Sequence, residues 1–215
     1  MERLLAVYAL PYDAAYPVVC FDERPCFLIG DLIEPFALQT GRLRKEHYAY
    51  AKLGSCALLA AIEPLTGHRI AQVYDQRTKR EFTLFCQDLA AAFPHAVEIQ
   101  LVLDNLNTHD KSAFYEYLPA DEAFALAQRF NFVYTPKSAS WLNMIEIEFS
   151  ALARLCLHRR IPTVGQLRTE VLALIHERHD KAILINWQFS IQSARSKLNS
   201  HYSLVHAANA KFQET

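Results

Sequence analysis

Three acidic residues stand in local contexts that suit metal-ion chemistry. Asp22 ends the apolar run VVCFD, and Asp104 ends the run IQLVLD. Glu146 lies within SWLNMIEIEFS, a segment with helical periodicity. Hard divalent cations such as Mg²⁺ take carboxylate oxygens, water and substrate phosphate as ligands. Two such ions about 4 Å apart activate a nucleophile and stabilise a leaving oxygen in phosphodiester chemistry.

The elements around these acids alternate between strands and helices. Apolar runs and alternating patterns predict strands at 18–22, 56–64, 68–75, 98–104 and 130–136. Helical stripes predict helices over 78–93, over 111–129 with a break near Pro119, from an N-cap at Ser140, and from a capping box at Thr163–Gln166.

This order predicts an α/β fold with one mixed sheet. Three antiparallel strands come first, parallel strands follow, and helices cover both faces. Asp22 and Asp104 end their strands, so they meet at one sheet edge if those strands are neighbours. A helix that crosses this edge would bring Glu146 to them. Glu148 is about 200° away from Glu146 around a helix, and Glu23 points to the opposite strand face, so neither is expected to act directly.

The composition limits the function classes. Hydrophobic residues make up 52 % and charged residues 21 % of 215 residues, which predicts one folded domain. The formal net charge of −1 argues against a strongly basic DNA-coating protein. Five scattered cysteines without a C-x-x-C pair argue against a zinc site and indicate a reduced intracellular protein. The sequence contains no secretion signal and no candidate membrane span.

Within the domain, 24–55 is interpreted as an insertion with a hairpin, and 199–215 as a polar tail.

Three segments together resemble a known family. CFDE, VLDNLNTH and TPKSASWLNMIEIEFS are similar to the catalytic core of bacterial insertion-sequence transposases related to the mariner group, in the DDE endonuclease superfamily. The resemblance covers about 18–198 and implies a ribonuclease-H-like fold. It implies that Asp22, Asp104 and Glu146 hold two Mg²⁺ or Mn²⁺ ions for DNA cleavage and strand transfer. The spacing of 146 − 104 = 42 positions is longer than in mariner relatives.

The resemblance also implies partners. These are transposon ends and target DNA, a second copy in a homodimer, and a location at the bacterial nucleoid in the cytoplasm. Family members carry N-terminal helix-turn-helix domains, and 17 residues before the first strand leave no room for one, so a separate chain or domain would read the DNA. The sequence leaves open whether the chain is an isolated domain, a split frame or a decayed copy.

Polar neighbours are candidates for supporting the acids. Asn105, Asn107 and His109 either support the metal site, contact DNA or form a polar loop. Asn143 either orients Glu146 or bonds to the backbone at the helix start. Trp141 is interpreted as a core or helix-start residue rather than a base-stacking one.

Two basic clusters are candidates for phosphate contacts, or else solvated surfaces. The first has Arg42, Arg44 and Lys45, with Lys52 nearby. The second has Arg154, Arg159 and Arg160, with His158 and Arg168 nearby.

Three functions remain in view. The first is a transposase catalytic domain. The second is a metal-dependent nuclease on the same fold without strand transfer. The third is a remnant that binds DNA or a partner without catalysis.

Overall fold

The computed structural model describes residues 1–33, 48–206 and 208–209. Its strands are β1 Val18–Asp31, β2 Tyr50–Glu63, β3 His68–Tyr74, β4 Ile99–Leu103 and β5 Phe130–Tyr134. Its α-helices are α1 Glu2–Tyr8, α2 Lys79–Ala92, α3 Ser112–Tyr117, α4 Ala120–Gln128, α5 Ile145–Leu155, α6 Val164–Asp180, α7 Ile191–Lys197 and α8 Asn199–Val205. A 3₁₀ turn covers Ser140–Leu142.

The described strands form one mixed sheet in the order β3-β2-β1-β4-β5. β1 and β3 both pair antiparallel with β2, whereas β4 is parallel to both β1 and β5. The predicted arrangement of three antiparallel strands followed by parallel ones is confirmed. β2 is apolar and buried throughout its second half because it lies inside the sheet and is covered on both faces.

Two hydrophobic layers cover the sheet, as predicted. One layer packs α2, α3 and α4 against strand residues such as Phe21 and Leu101. The other packs α1, α5, α6 and α7 against residues such as Cys20 and Val102. Successive residues of β1 and β4 therefore face opposite layers, as the period of two in a strand requires. All five cysteines are buried and free, which fits their interpretation as reduced core residues.

The first two strands are longer than the sequence patterns indicate. The pairing of β1 with β2 runs from Cys20 opposite Ile62 to Asp31 opposite Tyr50, with an irregularity at Leu28 and Ile29. Residues 24–31 and 50–55 therefore have the antiparallel pairing expected of the predicted hairpin, but they extend two strands of the sheet and are not an irregular insertion. The reason is cross-strand pairing, since Cys26 and Leu28 face inward while Phe27 is exposed.

Three local expectations need correction. Ser140 begins a 3₁₀ turn rather than capping the following α-helix, which starts at Ile145. Trp141 is 54 % exposed and packs edge-on against Phe189, so it is not a core residue. Residues Asn199–Val205 form a helix within the segment interpreted as a polar tail.

The other helix signals are confirmed at their starting points. Pro119 separates α3 from α4, and Thr163 accepts a hydrogen bond from the backbone N–H of Gln166 at the start of α6. Among the helices of the described ranges, none has both the length and the apolar character required to cross a membrane.

Candidate active site

Strands β1 and β4 bring the first two acids to the same sheet edge. The strands are parallel neighbours, with Val18 opposite Gln100 and Cys20 opposite Val102. Continuing this register by two positions sets Asp22 level with Asp104. Neighbouring strands lie about 4.8 Å apart, so the two backbones are close at this point. The strand neighbourhood that the sequence argument required is therefore present, but Asp22 does not end its strand as predicted, because pairing with β2 continues β1 to Asp31.

The surroundings of Asp22 disfavour its charge. The residue is 8 % exposed, and its Oδ1 accepts a 2.7 Å hydrogen bond from the backbone N–H of Glu23. Burial raises the pKa of Asp22, the Glu23 hydrogen bond lowers it, and the nearby charges of Asp104 and Glu146 raise it again, giving about 7. Asp22 thus experiences the field of both other acids, and a bound cation would relieve this repulsion.

Asp104 is held by the imidazole of His109. The Nδ1 atom of His109 lies 2.5 Å from Oδ1 of Asp104. His109 is buried, and its backbone carbonyl accepts a hydrogen bond from the Tyr134 hydroxyl. Burial alone would lower the pKa of His109, but the carboxylates of Asp104 and Glu23 outweigh it and raise the pKa to about 9. The expected support of the site by His109 thus has a direct contact behind it.

Glu23 lies on the other side of the His109 ring. Its Oε2 atom is 3.7 Å from Nε2 of His109, which is longer than a hydrogen bond, and Nε2 has no hydrogen-bond partner. Arg77 approaches the other oxygen of Glu23 at 3.4 Å. The strand period does place Glu23 on the face opposite Asp22, as predicted. The sequence argument missed that a buried histidine on that face connects Glu23 to Asp104.

Glu146 is the second residue of α5, a helix that packs against β1 and β2. Asn143 connects the start of this helix to the strand of Asp22. Its side-chain amide donates a 2.8 Å hydrogen bond to the carbonyl of Phe21, and its oxygen accepts a 3.4 Å hydrogen bond from the backbone N–H of Ile145. Both contacts are to backbone groups, as in the interpretation of Asn143 as a residue that bonds to the backbone at the helix start, whereas its orientation of Glu146 stays a prediction.

Glu148 serves a different purpose from Glu146. It is buried and pairs with Arg178 and Arg69 at distances of 2.6–3.2 Å. This ion cluster ties α5 to α6 and β3. The expectation that Glu146 and Glu148 do not share one site is confirmed, because Glu148 has its own cationic partners.

Two cavities flank the loop that follows Asp104. The first, of about 540 Å³, has Asp104 on one side and Tyr134, Lys137 and Ser138 on the other. The second, of about 330 Å³, is lined by Glu23, Arg77 and residues 105–108. The exposed Asn105 lines both, while Asn107 lines the second. A nucleic acid strand that reaches Asp104 would therefore pass a cation on either side.

Lys137 is a candidate that the sequence argument missed. It is exposed, lines the larger cavity and has no ion pair among the described residues. The adjacent Ser138 has a φ of +61°, a left-handed conformation that is uncommon outside glycine. The available signal was its position within TPKSASWLN, directly after a predicted strand.

The basic residues in the last turn of α5 and directly after it are partly neutralised. Arg159 pairs with Glu170 at 2.5 Å, and Arg160 pairs with Asp31. Arg154 is exposed and has no ion pair within the described part of the chain. Arg42, Arg44 and Lys45 lie outside the described residues.

The donor set suits hard divalent cations in its chemistry. Across 1–33, 48–206 and 208–209, no group of three or more His, Cys, Asp and Glu side chains is close enough to hold one ion. This result does not conflict with two ions that each take only two protein carboxylates. Mg²⁺ characteristically uses one or two carboxylates and completes its shell with water and substrate phosphate. Asp22 with Asp104, and Asp22 with Glu146, are the pairs that would serve.

A five-stranded mixed sheet in the order β3-β2-β1-β4-β5, with β2 antiparallel to both of its neighbours and helices on both faces, has the ribonuclease-H-like fold. Within this class of fold, residues 17–168 match the family model described as DDE superfamily endonuclease. The match spans more than half of the chain, and the chain belongs to that family. A comparison with curated proteins found no match.

Solved structures with a similar fold include complexes of the Mos1 mariner transposase. The paired-end complex with Mn has 12 % identity and a TM-score of 0.50, covering 87 % of this chain and 61 % of that one. The pre-cleavage transpososome has 11 % identity and a TM-score of 0.51, with the same coverage. The strand transfer complex has 12 % identity and a TM-score of 0.51, covering 85 % of this chain and 58 % of that one. The chain thus spans about three fifths of the transposase chains that it matches.

Proposed function

We propose that this chain is the catalytic domain of a transposase that cleaves DNA and joins the freed end to target DNA, with divalent metal ions as cofactors. The observation that most supports the proposal is the placement of Asp22 on β1, just beyond its parallel pairing with β4 and level with Asp104 directly after β4, with Glu146 close enough to raise the pKa of Asp22. Family membership adds to it.

Each acid has a separate assignment in this proposal. Asp22 would contribute to both ions, while Asp104 and Glu146 would each contribute to one. When bound, Mg²⁺ or Mn²⁺ would supply an activated water or 3′-OH nucleophile and stabilise the leaving oxygen. The chain's own residues orient these ligands: the Glu23 N–H fixes one oxygen of Asp22, His109 fixes one oxygen of Asp104, and Asn143 fixes the start of α5.

DNA is the proposed substrate and partner. Lys137 and Arg77 line the cavities that flank the loop after Asp104, Arg154 lies in the last turn of α5, and Arg159 and Arg160 follow that helix. Such cations position a phosphate backbone without reading its sequence. The Mos1 structures are named as paired-end and strand transfer complexes. By analogy, we propose that this chain works on transposon ends as a homodimer at the bacterial nucleoid.

The direct test separates cleavage from joining. Purified protein is incubated with Mn²⁺, a supercoiled plasmid and a labelled duplex that ends in a free 3′-OH. The expected result is joining of the label to the plasmid, lost completely in Asp104→Asn. Asp88→Asn makes the same charge change at an exposed position on α2 and should leave joining unchanged.

Two other outcomes would favour the alternatives. Metal-dependent nicking without joining would indicate a nuclease on this fold. DNA binding without either reaction, in folded protein, would indicate a non-catalytic remnant. Equal nicking by the parent and by Asp104→Asn would contradict the assignment of the site.

A further inference from the structure

His109 packs against two aromatic rings that also contact each other. Its ring centroid lies 5.2 Å from that of Phe21 and 5.0 Å from that of Phe82, and the side chain has no exposed surface. The ring is therefore fixed by packing in the apolar layer below the sheet edge. A polar ring in such a place requires partners for both nitrogen atoms.

The two nitrogen atoms face two carboxylates, but only the Asp104 carboxylate is within hydrogen-bond distance, so Nε2 has no hydrogen-bond partner among the described residues. Nδ1 contacts Asp104 at 2.5 Å, and Nε2 faces Glu23 at 3.7 Å. The Glu23 side chain is only 5 % exposed, although it lies beside a cavity. Arg77, which is half exposed, approaches Glu23 from the solvent side. Glu23 thus lies between a surface cation and a buried imidazole.

Glu23 also contacts the other aspartate through its backbone. Its N–H donates a 2.7 Å hydrogen bond to Oδ1 of Asp22. One residue consequently holds Oδ1 of Asp22 directly and faces the ring that holds Oδ1 of Asp104. Each aspartate then keeps its second oxygen for another ligand. Groups that orient metal-binding side chains in this way commonly change metal affinity by about 10- to 100-fold when removed.

We propose that Glu23 is a positioning residue that sets the orientation of both aspartates, acting on Asp104 through His109. This inference rests on the proposed function, since it assigns Asp22 and Asp104 as metal ligands. It adds a residue from the opposite face of β1. The backbone N–H of Glu23 contacts Asp22, whereas its side chain faces His109. Substitutions of the side chain therefore change only the contact that acts on Asp104 through His109.

Measuring Mn²⁺ affinity tests the effect of Glu23 on Asp104 through His109 and does not require catalysis. Binding is titrated by calorimetry or electron paramagnetic resonance with a DNA duplex present. We expect Glu23→Ala to weaken Mn²⁺ binding by about 10-fold, and Glu23→Gln, which keeps an acceptor for Nε2–H, to recover most of the loss. Glu63→Ala is the matched control: it removes a buried carboxylate that holds only the turn at Leu65 and Thr66. It should leave the affinity unchanged.

A double-mutant cycle tests whether His109 transmits the effect. His109→Asn keeps a donor near the position of Nδ1 and removes Nε2. In this background Glu23→Ala should have no further effect on Mn²⁺ affinity, because the link is already lost. Independent losses that multiply would overturn the assigned path, and parent-like affinity in Glu23→Ala would overturn the positioning role.

A second readout needs no metal. The ¹⁵N resonance of His109 Nε2, recorded at fixed pH, should shift in Glu23→Ala and return towards the parent value in Glu23→Gln. An unchanged resonance in both variants would overturn the proposed contact.

Failure of the proposed function gives a different pattern. If Mn²⁺ bound equally to the parent and to Asp104→Asn, the metal site itself would be wrong, and this inference would fall with it. If binding required Asp104 but ignored Glu23, only the positioning role would be wrong.

Discussion

The side-chain amide nitrogen of Asn143 lies 2.8 Å from the backbone carbonyl oxygen of Phe21, and both groups are buried. Phe21 immediately precedes Asp22 in β1, and Asn143 comes three positions before Glu146. This single hydrogen bond therefore fixes the strand that carries one acid relative to the helix that carries another.

Replacing Asn143 with alanine should reduce both stability and metal affinity. It leaves the Phe21 carbonyl without its Asn143 donor, and leaving a buried acceptor unsatisfied costs about 1–3 kcal/mol. Urea unfolding and Mn²⁺ titration with DNA present would measure the two effects. Asn131→Ala removes a 2.7 Å hydrogen bond to Gln100 elsewhere in the sheet and should leave Mn²⁺ affinity unchanged. Parent-like affinity in Asn143→Ala would show that Glu146 does not depend on this bond.

Replacing Lys137 with alanine should weaken DNA binding. A phosphate contact contributes about 0.9 to the slope of log K against log salt for duplex DNA. We therefore expect the magnitude of that slope to fall by about this amount, measured by fluorescence anisotropy at several salt concentrations. Lys197→Ala, which replaces an exposed lysine on α7, is the control and should leave the slope unchanged. An identical slope in both variants would exclude Lys137 from the DNA surface.

The arginines at the end of α5 and after it should contribute unequally to DNA binding. Arg159 already pairs with Glu170, whereas Arg154 has no ion pair within the described part of the chain. Binding DNA would require Arg159 to give up part of an existing interaction. We expect Arg154→Ala to lower affinity more than Arg159→Ala in the same anisotropy assay. The opposite order would indicate that the Glu170 pair orients Arg159 for DNA.

The buried Glu148 cluster should make stability depend on acidic pH. Burial raises the pKa of Glu148, but hydrogen bonds from Arg178 and Arg69 outweigh this and hold the pKa below its ordinary value of 4.5. The stabilisation that ionised Glu148 contributes is therefore fully present above pH 4.5 and is lost as the pH falls through the lowered pKa. Glu148→Gln should cost about 3–5 kcal/mol at neutral pH, because it leaves buried charge unpaired. The difference in unfolding free energy between the parent and Glu148→Gln should become smaller at acidic pH.

Urea unfolding at pH 7 and at stepwise lower pH would check this prediction. Glu177→Gln removes an exposed partner of Lys181 and should have little effect at any pH. A constant difference between the parent and Glu148→Gln across the acidic range would contradict the linkage.

The positions of Asp22 and Asp104 were predictable because they depend on short local patterns. VVCFD and IQLVLD each show an apolar strand that reaches an acid, although β1 continues beyond Asp22 to Asp31. The sequence argument then required only that the two strands be neighbours. The start of the helix that carries Glu146 was harder to predict from the sequence. That start, at Ile145, depends on Asn143 bonding to Phe21, a contact across 122 positions that no local pattern encodes.

Glu23 shows why alternation alone was insufficient. The period of two correctly set Glu23 on the face opposite Asp22, but that face holds His109, which reaches back to Asp104. Similarly, residues 24–31 resemble an irregular segment until β2 pairs with them. In both cases the missing information was a partner distant in sequence.

The position of β1 between an antiparallel and a parallel neighbour has a consequence for how the protein forms. The β1–β2 pair is local, whereas joining β4 to β1 closes a chain of about 80 residues, and such closure is slow and entropically costly. During synthesis, Glu146 follows Asp22 by 146 − 22 = 124 positions. A nascent chain can therefore pair β1 with β2 well before it can assemble the three acids, and the proposed chemistry is withheld until α5 has been made.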